Sequence, residues 1–341
     1  MSTLYVTTED TVLRKADERL KVTRHKETLI DVPLLKVSSV VLFGRVSVTP
    51  DAMQSLLEHQ IDLCFLTAFG KYIGRMQPPV SGNSLLRKAQ FRAAESPTKC
   101  LRLSQGFIKG KLANMRVLLV RQAREEQEGS DRRRALDAAI TRIKLAEASL
   151  ARAGDVDQAR GHEGEASAQY FGVFDHLIKQ HGQDGFVFEK RLKRPPTDPV
   201  NAMLSFGYAL LANDLHSAIN IVGLDPYIGY LHADRHGKPS LALDLMEEFR
   251  ALVVDSVVLM MINKRMVTPE DFEYQLGGVC RMADAARRTF LRQYEERKLT
   301  EFRHPIFNYK MSYRQAFEMQ TRILAKALKG EIEEYVPLLT K

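Results

Sequence analysis

Between residues 4 and 76 the apolar positions fall in short, partly alternating runs set apart by polar turns, which predicts strands rather than helices. Residues 4–6, 12–13, 20–23 and 29–32 are such runs, and Ala16-Asp17-Glu18-Arg19 is one of the turns between them. Residues 37–43 form a more continuously apolar strand closed by Gly44, and 46–48 follow. Thr49-Pro50-Asp51 then opens a helix, with Thr49 as N-cap, Pro50 at the first helical position, and Met53, Leu56 and Leu57 turned inward. Two further strands, 61–66 and 72–76, meet at a hairpin turn on Gly70-Lys71.

Past Met76 the texture changes. Proline, glycine and serine crowd residues 78–84, which read as a linker between a β domain, 1–77, and a larger helical domain, 85–341. Helical periods run over 85–94, 100–126 and 135–153, with a charged break at 129–134. In 154–174, glycines on each side of His162-Glu163 mark a turn into a helix through Ala166, Tyr170 and Phe174. A basic and proline-rich break over 187–199 ends in Asp198-Pro199, a start signal for a helix over 202–215. That helix is apolar on most sides and is expected at the centre of its domain. Two more helices cover 281–297 and 312–330.

The stretch 223–250 organises the candidate chemistry. A turn at Asp225-Pro226 and Gly229 leads to His232, a polar loop over 233–238, and a helix from Pro239-Ser240. At 100° per residue, Leu241, Leu245, Met246, Phe249, Leu252 and Val253 share one face, with Asp244, Glu247, Glu248 and Asp255 roughly opposite. His232 stands twelve residues before the first of these acids. Carboxylate oxygens with one imidazole nitrogen suit Mg²⁺ or Mn²⁺. His232, Asp244 and Glu247 form the candidate set, with Glu163 as a possible third arm from a separate helix. Each also has a plainer reading. An acid in a first helical turn is favoured by the helix dipole, which would account for Glu163 and Glu165 separately. A lone loop histidine is commonly just hydrogen-bonded, and acids three apart are commonly a solvated pair.

Composition narrows the partners and the classes. The chain has 341 residues, enough for two domains, and 50 Lys+Arg against 42 Asp+Glu, a formal charge of +8. That excess suits a polyanion such as nucleic acid or an acidic membrane surface. Cys64, Cys100 and Cys280 are odd in number and widely spaced, as expected of reduced thiols in a cytoplasmic protein without a disulfide frame or zinc site. The most apolar run, 251–262, is interrupted by Asp255 and too short to span a bilayer. No phosphate-binding loop, dinucleotide fingerprint, G-x-S-x-G nucleophile turn or H-E-x-x-H zinc helix occurs.

Several segments resemble a known family. H-K-E-T-L-I-D-V-P-L-L-K-V-S-S-V-V-L-F-G-R-V-S-V-T at 25–49, G-H-E-G-E-A-S-A-Q-Y-F at 161–171, D-P-V-N-A-M-L-S-F-G-Y-A-L-L at 198–211, and G-Y-L-H-A with K-P-S-L-A-L-D-L-M-E-E-F-R across 229–250 are similar to the CRISPR-associated integrase of spacer acquisition, "Cas-one". The resemblance covers the chain nearly end to end. It implies an α+β protein, an N-terminal β-sandwich-like domain followed by an all-α domain that carries the metal. It also implies a homodimer, and a heterohexamer with a small partner, "Cas-two", acting on double-stranded protospacer and repeat DNA.

Carried over position by position, the resemblance implies Glu163, His232 and Glu247 as ligands of Mg²⁺ or Mn²⁺ and as the catalytic set. Glu163 rather than Glu165 is the match, because Gly164 follows it directly and Tyr170 lies seven places on. Asp244 corresponds to a second acid near the metal. Lys238 and Arg250 are candidate DNA contacts. This chain has Glu at 247 where many members have Asp, one methylene more. The charged stretch 125–157 matches no motif. The implied activity is metal-dependent DNA cleavage and the joining of protospacer 3′-hydroxyls to the repeat by transesterification. The readings left beside it are a general metal-dependent nuclease of branched DNA and a non-catalytic DNA-binding scaffold.

Overall fold

A computed structural model describes residues 2–25, 27–78, 83–179, 185–192, 195–233 and 235–340. Most of the expected linker, together with Lys193, Arg194 and Asp234, lies outside them. The chain divides into two compact units, Met1–Ser81 and Gly82–Lys341.

Among the described residues the first unit holds eight strands, one α-helix and a 3₁₀ turn at Leu34–Lys36: β1 (Ser2–Val6), β2 (Thr11–Ala16), β3 (Arg19–Arg24), β4 (Glu27–Pro33), β5 (Val37–Phe43), β6 (Val46–Val48), α1 (Pro50–Glu58), β7 (Asp62–Leu66) and β8 (Tyr72–Met76). They build two four-stranded sheets, ordered β1-β5-β7-β8 and β4-β3-β2-β6. In the first sheet β1, β5 and β7 are parallel and β8 returns antiparallel. The second is antiparallel except that β6 runs parallel to β2. Leu4, Val6, Val40, Leu42 and Leu63 from one sheet and Leu13, Leu20 and Val22 from the other share one apolar core. The alternation of residues along the strands therefore has a direct cause, since every second side chain enters that core. Thr49 caps α1 by accepting from the Ala52 N–H at 3.4 Å.

In the second unit the helices are α2 (Ser84–Ala94), α3 (Pro97–Ala123), α4 (Asp131–Leu150), α5 (Val156–Gly172), α6 (Pro199–Val222), α7 (Ser240–Met246), α8 (Ser256–Asn263), α9 (Asp284–Leu299) and α10 (Tyr313–Lys329). A π-helical stretch, Arg250–Asp255, leads into α8. α3 packs against α4 and α5, and α6 against α7 and α10. α6 is buried on nearly every side, as its sequence predicts, and Asp198 caps it by accepting from the Asn201 N–H at 2.8 Å. Gly207 lets α6 approach the π-helical stretch, because a Cβ there would lie 2.5 Å from Val254 Cγ1 and 2.9 Å from Phe290 Cζ. Among the described residues no helix is long and apolar enough to cross a membrane.

Two expectations are corrected here. The second unit is mostly rather than wholly helical. It carries antiparallel hairpins β9–β10 (Phe272–Gln275, Val279–Met282) and β11–β12 (Glu301–Arg303, Lys310–Ser312). The first turns on Gly277 and Gly278, both at positive φ, which glycine adopts without a Cβ clash. The other correction concerns 154–174. No turn interrupts the chain at His162-Glu163; α5 starts at Val156, capped by Asp155, and continues through both glycines. Gly161 and Gly164 face open space, and Ala159, Ala166 and Tyr170 on the other side anchor the helix in the core. Tertiary burial overrides the glycine propensity.

Candidate active site

Three segments remote in sequence bring the candidate ligands together. Glu163 lies midway along α5, His232 in the loop between α6 and α7, and Glu247 caps the C-terminus of α7. Asp244, fully buried on α7, fixes the histidine. Its Oδ2 accepts the backbone N–H groups of Tyr230 and Leu231 at 2.7 and 3.0 Å. Its Oδ1 accepts the His232 N–H at 2.9 Å and the His232 Nδ1 at 2.7 Å. Only glycine fits at 229, since a Cβ there would lie 2.9 Å from Asp244 Oδ2 and 2.6 Å from Ser240 Cβ. A carboxylate can only accept, so Nδ1 carries the proton. Nε2 is the ring nitrogen that Asp244 leaves uncommitted, and it stands 3.9 Å from Glu247 Oε1.

Glu247 is almost entirely buried yet surrounded by cations. Arg250 Nη2 lies 3.0 Å from Oε1 and Lys111 Nζ lies 2.8 Å from Oε2. Burial by itself would raise this carboxyl, but the Arg250 guanidinium, the Lys111 ammonium and His232 outweigh it and hold the pKa at about 2. Glu247 is therefore ionised at neutral pH. The Lys111 ammonium is thus an ion-pair partner of Oε2, as Arg250 is of Oε1.

Lys111, on α3, also pairs with Glu163 Oε1, which accepts from Ser167 Oγ at 2.8 Å as well. Burial would raise the Glu163 carboxyl; Lys111 overcomes that, and the net shift is downward although Glu247 works against it. Glu163 and Glu247 thus converge on one ammonium, with the Asp244-oriented imidazole beside them. Among the described residues no three His, Cys, Asp or Glu side chains are gathered around a metal-sized point. The cation at the junction of the two carboxylates is a side chain.

The acids of 244–255 do not form the single face that the helical period predicts. α7 ends at Met246 and the chain re-enters helix through the π-helical turn, whose extra residue per turn shifts the register. All four acids are buried, each with different partners. Asp244 serves His232, and Glu247 faces Lys111 and Arg250. Glu248 points to the C-terminal segment, accepting from Tyr335 Oη, from Gln320 Nε2 at 2.9 Å and from the Leu338 N–H at 2.8 Å. Burial raises its pKa to about 8, against those bonds. Asp255 accepts the hydroxyls of Tyr170 at 2.8 Å and Tyr208 at 2.6 Å.

Arg250, expected among DNA contacts, lies inside the site with its guanidinium 4.8 Å from the Tyr208 ring centre. Lys238 is half-buried in the loop after His232. Lys111 did not stand out among the basic residues of its helix. The available signal was its spacing, because it lies three and four residues after Ile108 and Phe107, on the buried side of α3. The other side of α3 contributes Arg102, Lys109 and Arg116 to a cavity of about 730 Å³, which includes none of the candidate ligands.

Comparison with known proteins identifies the family. The family model described as CRISPR associated protein Cas1 matches residues 4–296. A protein of Rhodospirillum rubrum named CRISPR-associated endonuclease Cas1 2 is 41% identical over 344 aligned positions, covering 100% of this chain and 99% of its own. Two solved structures share the fold. One is a casposase bound to integration product, with TM-score 0.84, 22% identity, and 98% of this chain and 93% of that chain covered. The other is a Cas6-RT-Cas1–Cas2 complex, with TM-score 0.81, 22% identity, and 99% of this chain but 36% of that chain covered. With the family model spanning most of its length and a full-length relative above two-fifths identity, the chain belongs to the CRISPR-associated Cas1 family.

Proposed function

We propose that this chain is a metal-dependent DNA endonuclease and integrase of CRISPR adaptation, with Glu163, His232 and Glu247 holding Mg²⁺ or Mn²⁺. The observation that carries the reading is the convergence of two carboxylates from separate segments on one buried ammonium, with an Asp244-oriented imidazole 3.9 Å from one of them. The donor set fits. Ligands about 2.1 Å from one ion stand roughly 3 to 4 Å apart, and His232 Nε2 lies 3.9 Å from Glu247 Oε1. Hard oxygen donors with a single nitrogen favour Mg²⁺ or Mn²⁺ over softer ions.

A divalent ion held there polarises a phosphodiester oxygen and makes an attacking hydroxyl more acidic. The chain's own groups do the rest. Asp244 holds His232 in the tautomer that leaves Nε2 free, and its four accepted bonds fix the loop. Arg250, kept in place over Tyr208, supplies positive charge beside a phosphorus that gains negative charge as the new bond forms. A protospacer 3′-hydroxyl attacks a repeat phosphodiester and displaces the strand's own 3′-oxygen in a single transesterification.

The same reading gives the first unit, with 1–77 as the β domain and 78–84 as the linker, to dimer and partner contacts. It places two such dimers around the small Cas2 partner. A structural neighbour whose name pairs Cas1 with Cas2 supports that partner, and one bound to an integration product supports DNA as substrate.

The test is joining of a labelled duplex with free 3′-hydroxyls to a supercoiled repeat-bearing plasmid, in Mn²⁺ or EDTA, with and without Cas2. Joining that needs metal and disappears in His232→Ala supports the reading. Nicking without joining would favour a branched-DNA nuclease. Firm DNA binding with no reaction would favour a scaffold.

A further inference from the structure

Resting on the metal site proposed above, we infer that Lys111 is a resident counter-cation that competes with the divalent ion for Glu163 and Glu247. Its ammonium touches one oxygen of each carboxylate, and its side chain is only 4% exposed. A metal using those carboxylates must displace the ammonium or share them with it.

The two cations of the site are not equivalent. Arg250 is a rigid planar fork held at 4.8 Å over the Tyr208 ring and 3.0 Å from Glu247 Oε1. Lys111 is a point charge on a flexible four-carbon stem, able to swing away without moving its helix. Glu247 therefore keeps a counter-charge when Lys111 leaves. For Glu163, Lys111 is the ion-pair partner recorded among the described residues, and Ser167 is the neutral donor beside it.

The backbone of α3 is fixed independently of that ammonium. A Cβ at Gly110 would meet Glu248 Cγ at 2.6 Å and Pro337 Cβ at 3.1 Å, so α3 lies tightly against the residue after Glu247. Asn114, one turn further on, donates to the Glu248 and Leu338 carbonyls, both at 2.8 Å. Lys111 is thus delivered to the carboxylates by a helix whose position does not depend on it. The device suits a site whose buried carboxylates would otherwise repel each other whenever no ion is bound.

The consequence is opposite to that of an ordinary supporting residue. Removing Lys111 should tighten metal binding while weakening the fold in EDTA. The experiment measures Mn²⁺ affinity by electron paramagnetic resonance and the thermal midpoint with Mn²⁺ or EDTA. It uses the full chain as wild type, Lys111→Met, Lys111→Arg and Glu247→Gln. Lys111→Met should bind Mn²⁺ roughly ten- to a hundred-fold more tightly, the scale of one unit charge removed from a partly screened site. Its midpoint should fall in EDTA and recover in Mn²⁺, more than in wild type. Lys111→Arg, which keeps the charge on a less mobile planar fork, should show no gain in Mn²⁺ affinity over wild type.

Equal or weaker Mn²⁺ binding by Lys111→Met, with wild-type binding intact and lost in Glu247→Gln, would overturn the competition and leave the metal site standing. Absence of Mn²⁺ binding in wild type, or its survival in Glu247→Gln, would overturn the metal site itself and this inference with it.

Discussion

The two units differ in how far they gather charge below the surface. In the β unit, Arg19–Asp31 and Arg45–Asp10 are on the surface, with side chains 42% and 37%, and 74% and 52%, exposed, and Arg75–Asp62 is a single buried pair. The shared core beneath is entirely apolar. The helical unit also has surface pairs, such as Arg134–Asp131 and Arg322–Glu318, but there Lys111, Glu247 and Arg250 form a connected buried group, with Lys111 and Glu247 4% and 3% exposed. Surface pairs contribute little to stability because water and salt screen them. Buried charges cost several kcal/mol to desolvate, so apolar side chains of similar volume often serve a fold as well. Where a chain retains such a cluster, binding or chemistry is the usual reason, and this cluster includes all three candidate ligands.

The sharpest way to break the comparison is Glu247→Ala. It should reduce strand transfer by about a thousand-fold or more while DNA binding largely survives, since a charge-stabilising group at the reacting centre is lost. It also takes the paired carboxylate from Arg250, while Lys111 keeps Glu163, at a cost of about 3–5 kcal/mol in stability. Full joining activity at equal folding would remove Glu247 from the ligand set.

Next is Leu13→Ala, in the core between the sheets. It should cost about 2–5 kcal/mol by chemical denaturation, because a fully buried leucine leaves a cavity. Its effect on Mn²⁺ affinity should be nil if the units divide the labour as described. Asp244→Asn should weaken Mn²⁺ binding by about ten- to a hundred-fold, the usual cost of losing the group that orients a ligating histidine. Titration with Mn²⁺ reads this directly, and unchanged affinity would mean that the loop orients His232 without its carboxylate.

The smallest effect belongs to Arg19→Ala. Its hydrogen bond holds the Asp31 carboxyl below the ordinary 3.8. A lowered carboxyl gives stability that is present above pH 3.8 and lost as pH falls through the folded value. Wild type and Arg19→Ala should therefore differ slightly at pH 7 in low salt and converge both at pH 2 and in high salt. A large difference in high salt would show that this surface pair behaves like the buried ones.

Local chemistry was legible wherever neighbours in sequence decide it. Thr49 and Asp198 cap their helices because a side-chain oxygen meets an N–H three residues on. The strand alternation of 4–76 and the apolar surround of α6 follow from periods of two and 3.6. The His232 and Asp244 pair lay close enough in sequence to be suspected together, and Glu163, a possible third arm by residue type, was singled out over Glu165 by the resemblance.

What sequence spacing could not decide depends on long-range packing. The π-helical turn after Glu248 sends four acids to four sets of partners, although a regular helix would have lined them up. α5 remains helical through Gly161 and Gly164 because its opposite side is buried. Lys111 reaches Glu163 and Glu247 across 52 and 136 residues of chain, a pairing no local pattern encodes. The sequence by itself determined most element types, though not the two hairpins of the second unit, and the kinds of donor available. Only the tertiary structure decided which charges meet, because burial turns charge from a solvated surface property into one that must find a specific partner.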